Sequence, residues 1–430
     1  MAEVVLVIRG GTVVDATGTR RADVAVDGDG TVVAVGADLE RPWGATTLDA
    51  GGCTVSPGLV DLHTHLREPG GEEAETIESG SRAAALGGYT AVVAMPNTTP
   101  PADSAAVVRQ VQELGADALC DVLPAGTITL GRAGTTLSPM AEMAELGVRI
   151  FTDDGTGVAD SRLMRRALEY ASVLGVTLAQ HCEDPALSAG THMHEGEWSG
   201  RLGIPGQPAA AEELMVARDI ALSRLTGAPI HLLHLSTAGS VELVRRAKAE
   251  GVAVTAEATT HHFTLTDGAC ATYDPVFKVH PPLRTAEDVA AVKAGLADGT
   301  IDAIATDHAP HPVEAKEAAF DQAPPGMLGL ETALALALGE LDLPIERILA
   351  LLSWQPAAIA GIADAHGGPV AEGRPANLCV VDTGATWTVD PTALASRSRN
   401  TPYAGRTLTG RVRHTLLRGE VVVCDAEAMR

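Results

Sequence analysis

The middle of the chain repeats one pattern, and that repetition narrows the possible folds to very few. Short apolar runs alternate with Ala-, Leu-, Glu- and Arg-rich stretches of helical composition. The runs are "GLVDLHTHL", "YTAVVAMPN", "LCDVLPAGTIT", "VRIFTDDG", "VTLAQHCED", "PIHLLHLSTAG", "VAVTAEATTHH" and "IDAIATDHAPH". Stretches such as "DSRLMRRALEYASVLG" and "SVELVRRAKAEG" separate them. Strands that alternate with helices in this way pair in parallel. A count near eight favours a closed (β/α)8 TIM barrel over an open sheet.

The two ends differ from the middle. "EVVLVIRGGTVVDATG" and "RADVAVDGDGTVVAVG" read as alternating strands with Gly and Asp-Gly turns. "PANLCVVDTGATWTVD" and "TLTGRVRHTLLRGEVVVCD" read the same way. Each end is too small for a core of its own, so both should combine into one β-sandwich. The expected organisation is 1–52 for the N-terminal half of that sandwich, 53–365 for the barrel and 366–430 for the C-terminal half. A chain of 430 residues has room for a large core and a smaller second one. With 3% aromatic residues, that core must be aliphatic.

A formal charge of −24 argues against nucleic acid and anionic membrane as partners. It also means that a small anionic substrate would need a local positive site. No apolar run is long enough to span a bilayer, and the N-terminus lacks the basic region of a signal peptide. The six cysteines are scattered without a C-x-x-C. Together these features predict a cytoplasmic protein with buried free thiols.

Each apolar run ends in histidine, aspartate, asparagine or arginine. In a barrel of this type the C-terminal strand ends meet on one face, where active sites lie. His63, His65, Asn97, Asp153 or Asp154, His181, His234, Asp307 and His311 would therefore converge. In "DLHTH", His63 and His65 project to one side of a strand and can share a metal ion. In "PIHLLHL", His231 and His234 cannot both point inward. His234 is nearer the strand end and is the better ligand, leaving His231 as a satisfied structural histidine. One aspartate of "TDDG" should face the site and the other should cap or hydrogen-bond nearby. His261 and His262 read as structural, and His192 and His194 read as part of a solvated loop.

"SPGLVDLHTHLREPG", "AMPNTTP", "TDDG", "QHCED", "HLLHLST" and "ATDHAPH" together resemble the class I bacterial dihydroorotases of the amidohydrolase superfamily. The resemblance covers essentially the whole chain, and "DLHTHLREPG" and "ATDHAPH" are its most specific strings. It implies a (β/α)8 barrel with a β-sandwich from both termini. It also implies zinc-dependent, reversible cyclisation of N-carbamoyl-L-aspartate to dihydroorotate in pyrimidine biosynthesis. His63, His65 and Asp307 would hold one zinc and His181 and His234 a second, so two ions are expected. Asp154 would bridge them, with Asp153 as the alternative. Asp307 would also act as the catalytic base and acid. His65, Arg67, Asn97, His280, His311, Pro325 and Gly326 would contact the small-molecule substrate. A homodimer, and a complex with aspartate transcarbamoylase, are further implications.

Hydantoinases, dihydropyrimidinases and allantoinases bridge two metals with a carboxylated lysine just before the strand of His181. This chain has no lysine before Lys248, which counts against a hydantoinase-like reading. A non-catalytic subunit that only supports the transcarbamoylase would be free to lose ligands, yet every expected ligand position is filled. Two positions depart from the family pattern. "KVHPPLR" places His280 where asparagine is usual, and "APPGMLG" places Pro325 where the closing loop usually has phenylalanine. Proline cannot donate a backbone hydrogen bond there.

Overall fold

The computed structural model describes residues 3–430. Eight parallel strands close a barrel: β1 (Leu59–Thr64), β2 (Tyr89–Ala94), β3 (Asp121–Pro124), β4 (Ile150–Phe151), β5 (Thr177–Gln180), β6 (Ile230–Leu232), β7 (Val254–Thr259) and β8 (Ala303–Ala305). Two ladders form most of it, β1–β2–β3 and β4–β5–β6–β7–β8. Parallel bridges close the two seams, Gly126 with Phe151 and Thr64 with His308. The closed circle leaves no exposed barrel edge.

A helix follows each strand, from Ile77–Leu86 after β1 to Ala333–Glu340 after β8. The helix Ser161–Leu174 shows why. The Asp160 side chain accepts a hydrogen bond from the Leu163 N–H and caps the start. Met164, Ala167, Leu168 and Ala171 recur at helical spacing and are its buried face. Gly175 ends it in the left-handed region, at φ 67°.

Leu62, Val93, Ala125, Ile150, Ala179, Leu233 and Ala303 form one buried cluster. They come from strands all round the circle, and only the barrel interior is common to those strands. The interior is packed, so the open space available to a ligand is at the strand ends.

The terminal segments interleave. A seven-stranded sheet runs in the order Glu427–Ala428, Glu420–Cys424, Thr407–Leu417, Leu378–Thr388, Thr54–Pro57, Thr12–Asp15, Gly18–Arg21. Its centre joins the two ends of the chain, with Leu378 opposite Pro57 and Val380 opposite Val55. A second sheet has the order Val32–Gly36, Asp23–Asp27, Val4–Arg9, Thr46–Asp49. Leu6, Ile8, Val24 and Val26 from that sheet pack on Val13, Val55, Val380 and Leu416 from the other. Neither end has enough apolar surface alone, and pairing supplies it. The strand Thr54–Pro57, just past the expected 1–52 segment, lies in the seven-stranded sheet and leads directly into β1.

Candidate active site

The strand ends carry the side chains singled out in the sequence. β1 positions His63, and His65 follows one residue beyond it, with ring centroids 5.4 Å apart. Asp154 follows β4, His181 follows β5, His234 follows β6 and Asp307 follows β8. All six are buried.

Asp154 is at the centre of this group. Its Oδ1 is 3.3 Å from His63 Nε2, 3.4 Å from His181 Nδ1 and 3.7 Å from His234 Nε2, and its Oδ2 is 3.5 Å from His65 Nε2. Asp307 Oδ1 is 3.1 Å from His65 Nε2 and 3.5 Å from His63 Nε2. Asp153 turns the other way. Its carboxylate accepts from the backbone N–H groups of Ile128 (2.8 Å) and Thr129 (3.0 Å) and from the Thr129 hydroxyl. Adjacent residues face opposite sides, and here one serves a loop while the other serves the histidine cluster.

The donor set suits zinc. It consists of imidazole nitrogens and carboxylate oxygens, the ordinary ligands of that ion. His63, His65 and Asp307 have ligating atoms close enough for one ion, as do His63, Asp154 and His234. His63 Nε2 is buried without a hydrogen-bond partner, a costly state for a polar atom and an ordinary one for a ligand. Electrostatics agree. Burial pulls the His63 imidazole down, but Asp154 and Asp307 outweigh it and hold its pKa well above the usual value. Burial would raise Asp307, but His63 and His65 hold it below the usual carboxylate range. Asp154 is likewise held well below that range despite burial, by His63 and then by hydrogen bonds from His181 and His234. The cluster therefore favours positive charge among its carboxylates, which is what a divalent cation supplies.

A second set of residues orients these side chains. Glu257, within β7, accepts from His63 Nδ1 at 2.9 Å and from His231 Nε2 at 3.1 Å. That fixes the His63 proton on Nδ1 and turns Nε2 to the cluster. His231 also bonds the Thr255 hydroxyl at 2.8 Å, so it is a satisfied structural histidine. His262 bonds Thr259 and the Pro281 carbonyl. The solvated-loop reading of His194 fails. His194 is buried, lies in the short strand Met193–His194 and meets Arg284 Nη1 at 3.2 Å. The Gly-rich surroundings hid a strand of two residues, too short to show a period.

A cavity of about 400 Å3 opens over the cluster. Arg67, Asn97, His280, His311, Pro325 and Gly326 line it with His65, Asp154, His181, His234 and Asp307. Asn97 Oδ1 takes His65 Nδ1 at 2.9 Å. Arg67 Nε donates to the Pro310 carbonyl at 3.2 Å. His311 Nε2 is 2.7 Å from the Pro325 carbonyl, so it carries the proton and donates it there. Burial, with Arg67 and Lys316 nearby, pulls His311 down to about 3, so its ring is neutral at pH 7. Pro325 thus contributes its carbonyl, and the Gly326 N–H is already used by the Lys278 carbonyl at 2.9 Å. A Cβ on Gly326 would come within 2.8 Å of Ala309 and 2.9 Å of His311, so the loop closes only with glycine there.

Backbone strain marks the same place. Nine non-glycine residues among those described have positive φ, and four of them line this cavity: Arg67 (60°), Arg132 (55°), His234 (33°) and Asp307 (45°). Such conformations cost on the order of 1–3 kcal/mol each and persist where the surroundings impose them. The sequence reading had not singled out Arg132, Glu183 or Glu257. Glu257 carried a signal, a charged residue in the middle of an apolar strand. So did Glu183, two residues past His181. Arg132 ends the one-turn 3-10 segment Leu130–Arg132, too short for a pattern to show which way a side chain points.

The relatives found by sequence are named dihydroorotases, and the solved structures that superpose are hydantoinases and dihydropyrimidinases. A family model described as dihydro-orotase-like matches residues 52–240. A dihydroorotase of Streptomyces coelicolor is 52% identical over 409 residues, 93% of this chain and 95% of that protein. A dihydroorotase of Pelotomaculum thermopropionicum is 49% identical over 98% of this chain and 99% of that protein. Among solved structures, the L-hydantoinase (dihydropyrimidinase) of Arthrobacter aurescens superposes with a TM-score of 0.89 at 26% identity, covering 100% of this chain and 98% of that one.

Proposed function

The chain belongs to the dihydroorotase family, and we propose that it catalyses the reversible, zinc-dependent cyclisation of N-carbamoyl-L-aspartate to dihydroorotate and water in pyrimidine biosynthesis. The single observation that carries this reading is one cavity lined by five of the six clustered His/Asp residues, His65, Asp154, His181, His234 and Asp307, together with Arg67. A cyclic-amide hydrolase needs the first, and a carboxylate-bearing ring needs the second.

His63, His65, Asp154, His181, His234 and Asp307 would hold two zinc ions, with Asp154 shared between them. Bound zinc would lower the pKa of water toward ~7 and polarise the amide carbonyl. The remaining steps belong to the protein. Asp307 is held ionised, so it can accept the proton of the attacking water and pass it to the ring nitrogen that leaves. In the cyclising direction it removes the ureido proton. Arg67 donates from Nε to the Pro310 carbonyl and has Nη2 3.4 Å from His311 Nε2, and its planar guanidinium fork in the cavity fits the substrate carboxylate. It also supplies the local positive charge that a chain of net charge −24 otherwise lacks. Asn97 orients His65 while keeping its amide nitrogen near Asp154, 3.4 Å from Oδ2. His311 and His280 complete the wall that faces the ring.

The hydantoinase reading has the fold in its favour. It lacks the lysine bridge, since the first lysine is Lys248, which pairs with Asp302 at 2.7 Å. We therefore propose dihydroorotate over hydantoin or dihydrouracil. Turnover of all three by one sample, with zinc measured in the same sample, tests this. Faster hydrolysis of hydantoin than of dihydroorotate would overturn it. Sizing of the protein alone and mixed with an aspartate transcarbamoylase tests the homodimer and the complex that the family suggests. No helix among the described residues is long and apolar enough to cross a membrane, which fits the cytoplasmic location we propose.

A further inference from the structure

We infer that Glu183 is a positioning residue: its one carboxylate holds the candidate metal ligand His181 and the substrate-facing His280 in register. The inference rests on the dihydroorotase reading and adds to it a residue that couples the two halves of the site. Glu183 is buried and lies two residues past His181. Its Oε2 accepts from His181 Nε2 at 2.7 Å. Its Oε1 accepts from Gln207 Nε2 at 2.5 Å and is 3.5 Å from His280 Nδ1. Gln207 is itself fixed, since it is buried and its carbonyl accepts from Arg284 Nη1 at 3.1 Å. Glu183 lines the cavity, and Gln207, which does not, anchors its carboxylate between the two histidines.

Each contact sets one ring. The His181 proton belongs on Nε2, so the lone pair is on Nδ1, which faces Asp154 at 3.4 Å and His234 Nε2 at 2.9 Å. Carboxylates that hold ligand histidines in this way are worth about 10–100-fold in metal affinity. The contact with His280 directs Nδ1 to Glu183 and leaves Nε2 for the cavity. His280 replaces the asparagine usual in the family. An asparagine nitrogen lies at the same depth as Nδ1, so it could still reach Glu183 but would leave nothing at the Nε2 position. Glutamine at 183 keeps the size but has only one oxygen, so it cannot accept from His181 and face His280 with an oxygen as well.

The test uses zinc-loaded full-length protein and two readouts, zinc retention against graded chelator and KM for dihydroorotate. Glu183→Gln should release zinc at about 10–100-fold lower chelator strength and should raise KM. His280→Asn should hold zinc like the wild type and raise KM alone. In the double variant the KM effects should be smaller than the product of the two, because Glu183 acts on the substrate through the same His280 Nε2 that the asparagine removes. Wild-type zinc retention in Glu183→Gln overturns the inference, and so do KM effects that multiply fully. If Glu183→Gln does not fold, Glu183→Asp takes its place. Its shorter carboxylate cannot span both rings, so losses in both readouts support the inference and wild-type values overturn it. The zinc readout needs no substrate, so a failure of the dihydroorotase reading would appear separately, as absent wild-type turnover with zinc loss intact.

Discussion

Replacing Asp153 and Asp154 one at a time separates two neighbouring carboxylates with opposite duties. Asp153→Ala removes the acceptor for the backbone N–H groups of Ile128 and Thr129 and for the Thr129 hydroxyl. Leaving a buried N–H without a partner costs ~1–3 kcal/mol, so the two together cost ~2–6 kcal/mol. Burial also pushes the Asp153 carboxyl up, so deleting it relieves a desolvation cost and the lower half of that range applies. Against a global stability of ~5–15 kcal/mol, the fall is large enough to move a urea midpoint visibly. The histidine cluster is untouched, so zinc per protomer should stay at the wild-type level below the transition. Asp154→Ala removes the one side chain whose oxygens face four ring nitrogens, those of His63, His65, His181 and His234. It should lose zinc and turnover while shifting the urea midpoint of the metal-free protein less than Asp153→Ala does. Zinc by elemental analysis, urea denaturation and dihydroorotate turnover on the same three preparations decide the matter. Zinc loss in Asp153→Ala with full zinc and turnover in Asp154→Ala would refute the reasoning and move the ligand to Asp153.

Three further outcomes are expected. Asp307→Asn removes a proton acceptor as well as a charged ligand, so kcat should fall by at least the ~10²–10⁴-fold typical of lost acid–base catalysis; a smaller fall in zinc-loaded protein would assign the proton to another group. Arg67→Lys keeps the charge but loses the fork, so kcat/KM for dihydroorotate should drop by roughly 10-fold or more, the equivalent of one charge-assisted hydrogen bond. The weak rate on dihydrouracil, which has no carboxylate, should change far less, and equal losses would mean that Arg67 only supports the site. Glu331 is pushed up to about 7, chiefly by burial. A carboxyl raised on folding favours the folded state fully below its unfolded value of ~4.3 and loses that contribution as pH rises through about 7. Glu331→Gln should therefore remove part of the decline in thermal midpoint between pH 4.5 and 7.5, and an unchanged slope would show that Glu331 titrates normally.

The amino-acid sequence by itself determined the barrel and the face on which chemistry occurs. Eight apolar runs with helical stretches between them leave few alternatives to a closed parallel barrel, and polar residues at the ends of those runs must then meet. That is why His63, His65, His181, His234 and Asp307 were legible as a group. What the sequence left open was direction. Asp153 and Asp154 are chemically identical neighbours, and only the loop at Ile128–Thr129, folded against one of them, decides which faces the histidines. His194 looked solvated because nothing local announces that Arg284, ninety residues away, will come to meet it. Glu183 and Glu257 owe their roles to partners on other strands: Glu183 also reaches Gln207 and His280, and Glu257 reaches His63 and His231. Period and composition report which side of its own element a residue occupies. They do not report which hydrogen-bond partners the chain closure brings to that side, and those partners set the tautomers and the field from which the site is built.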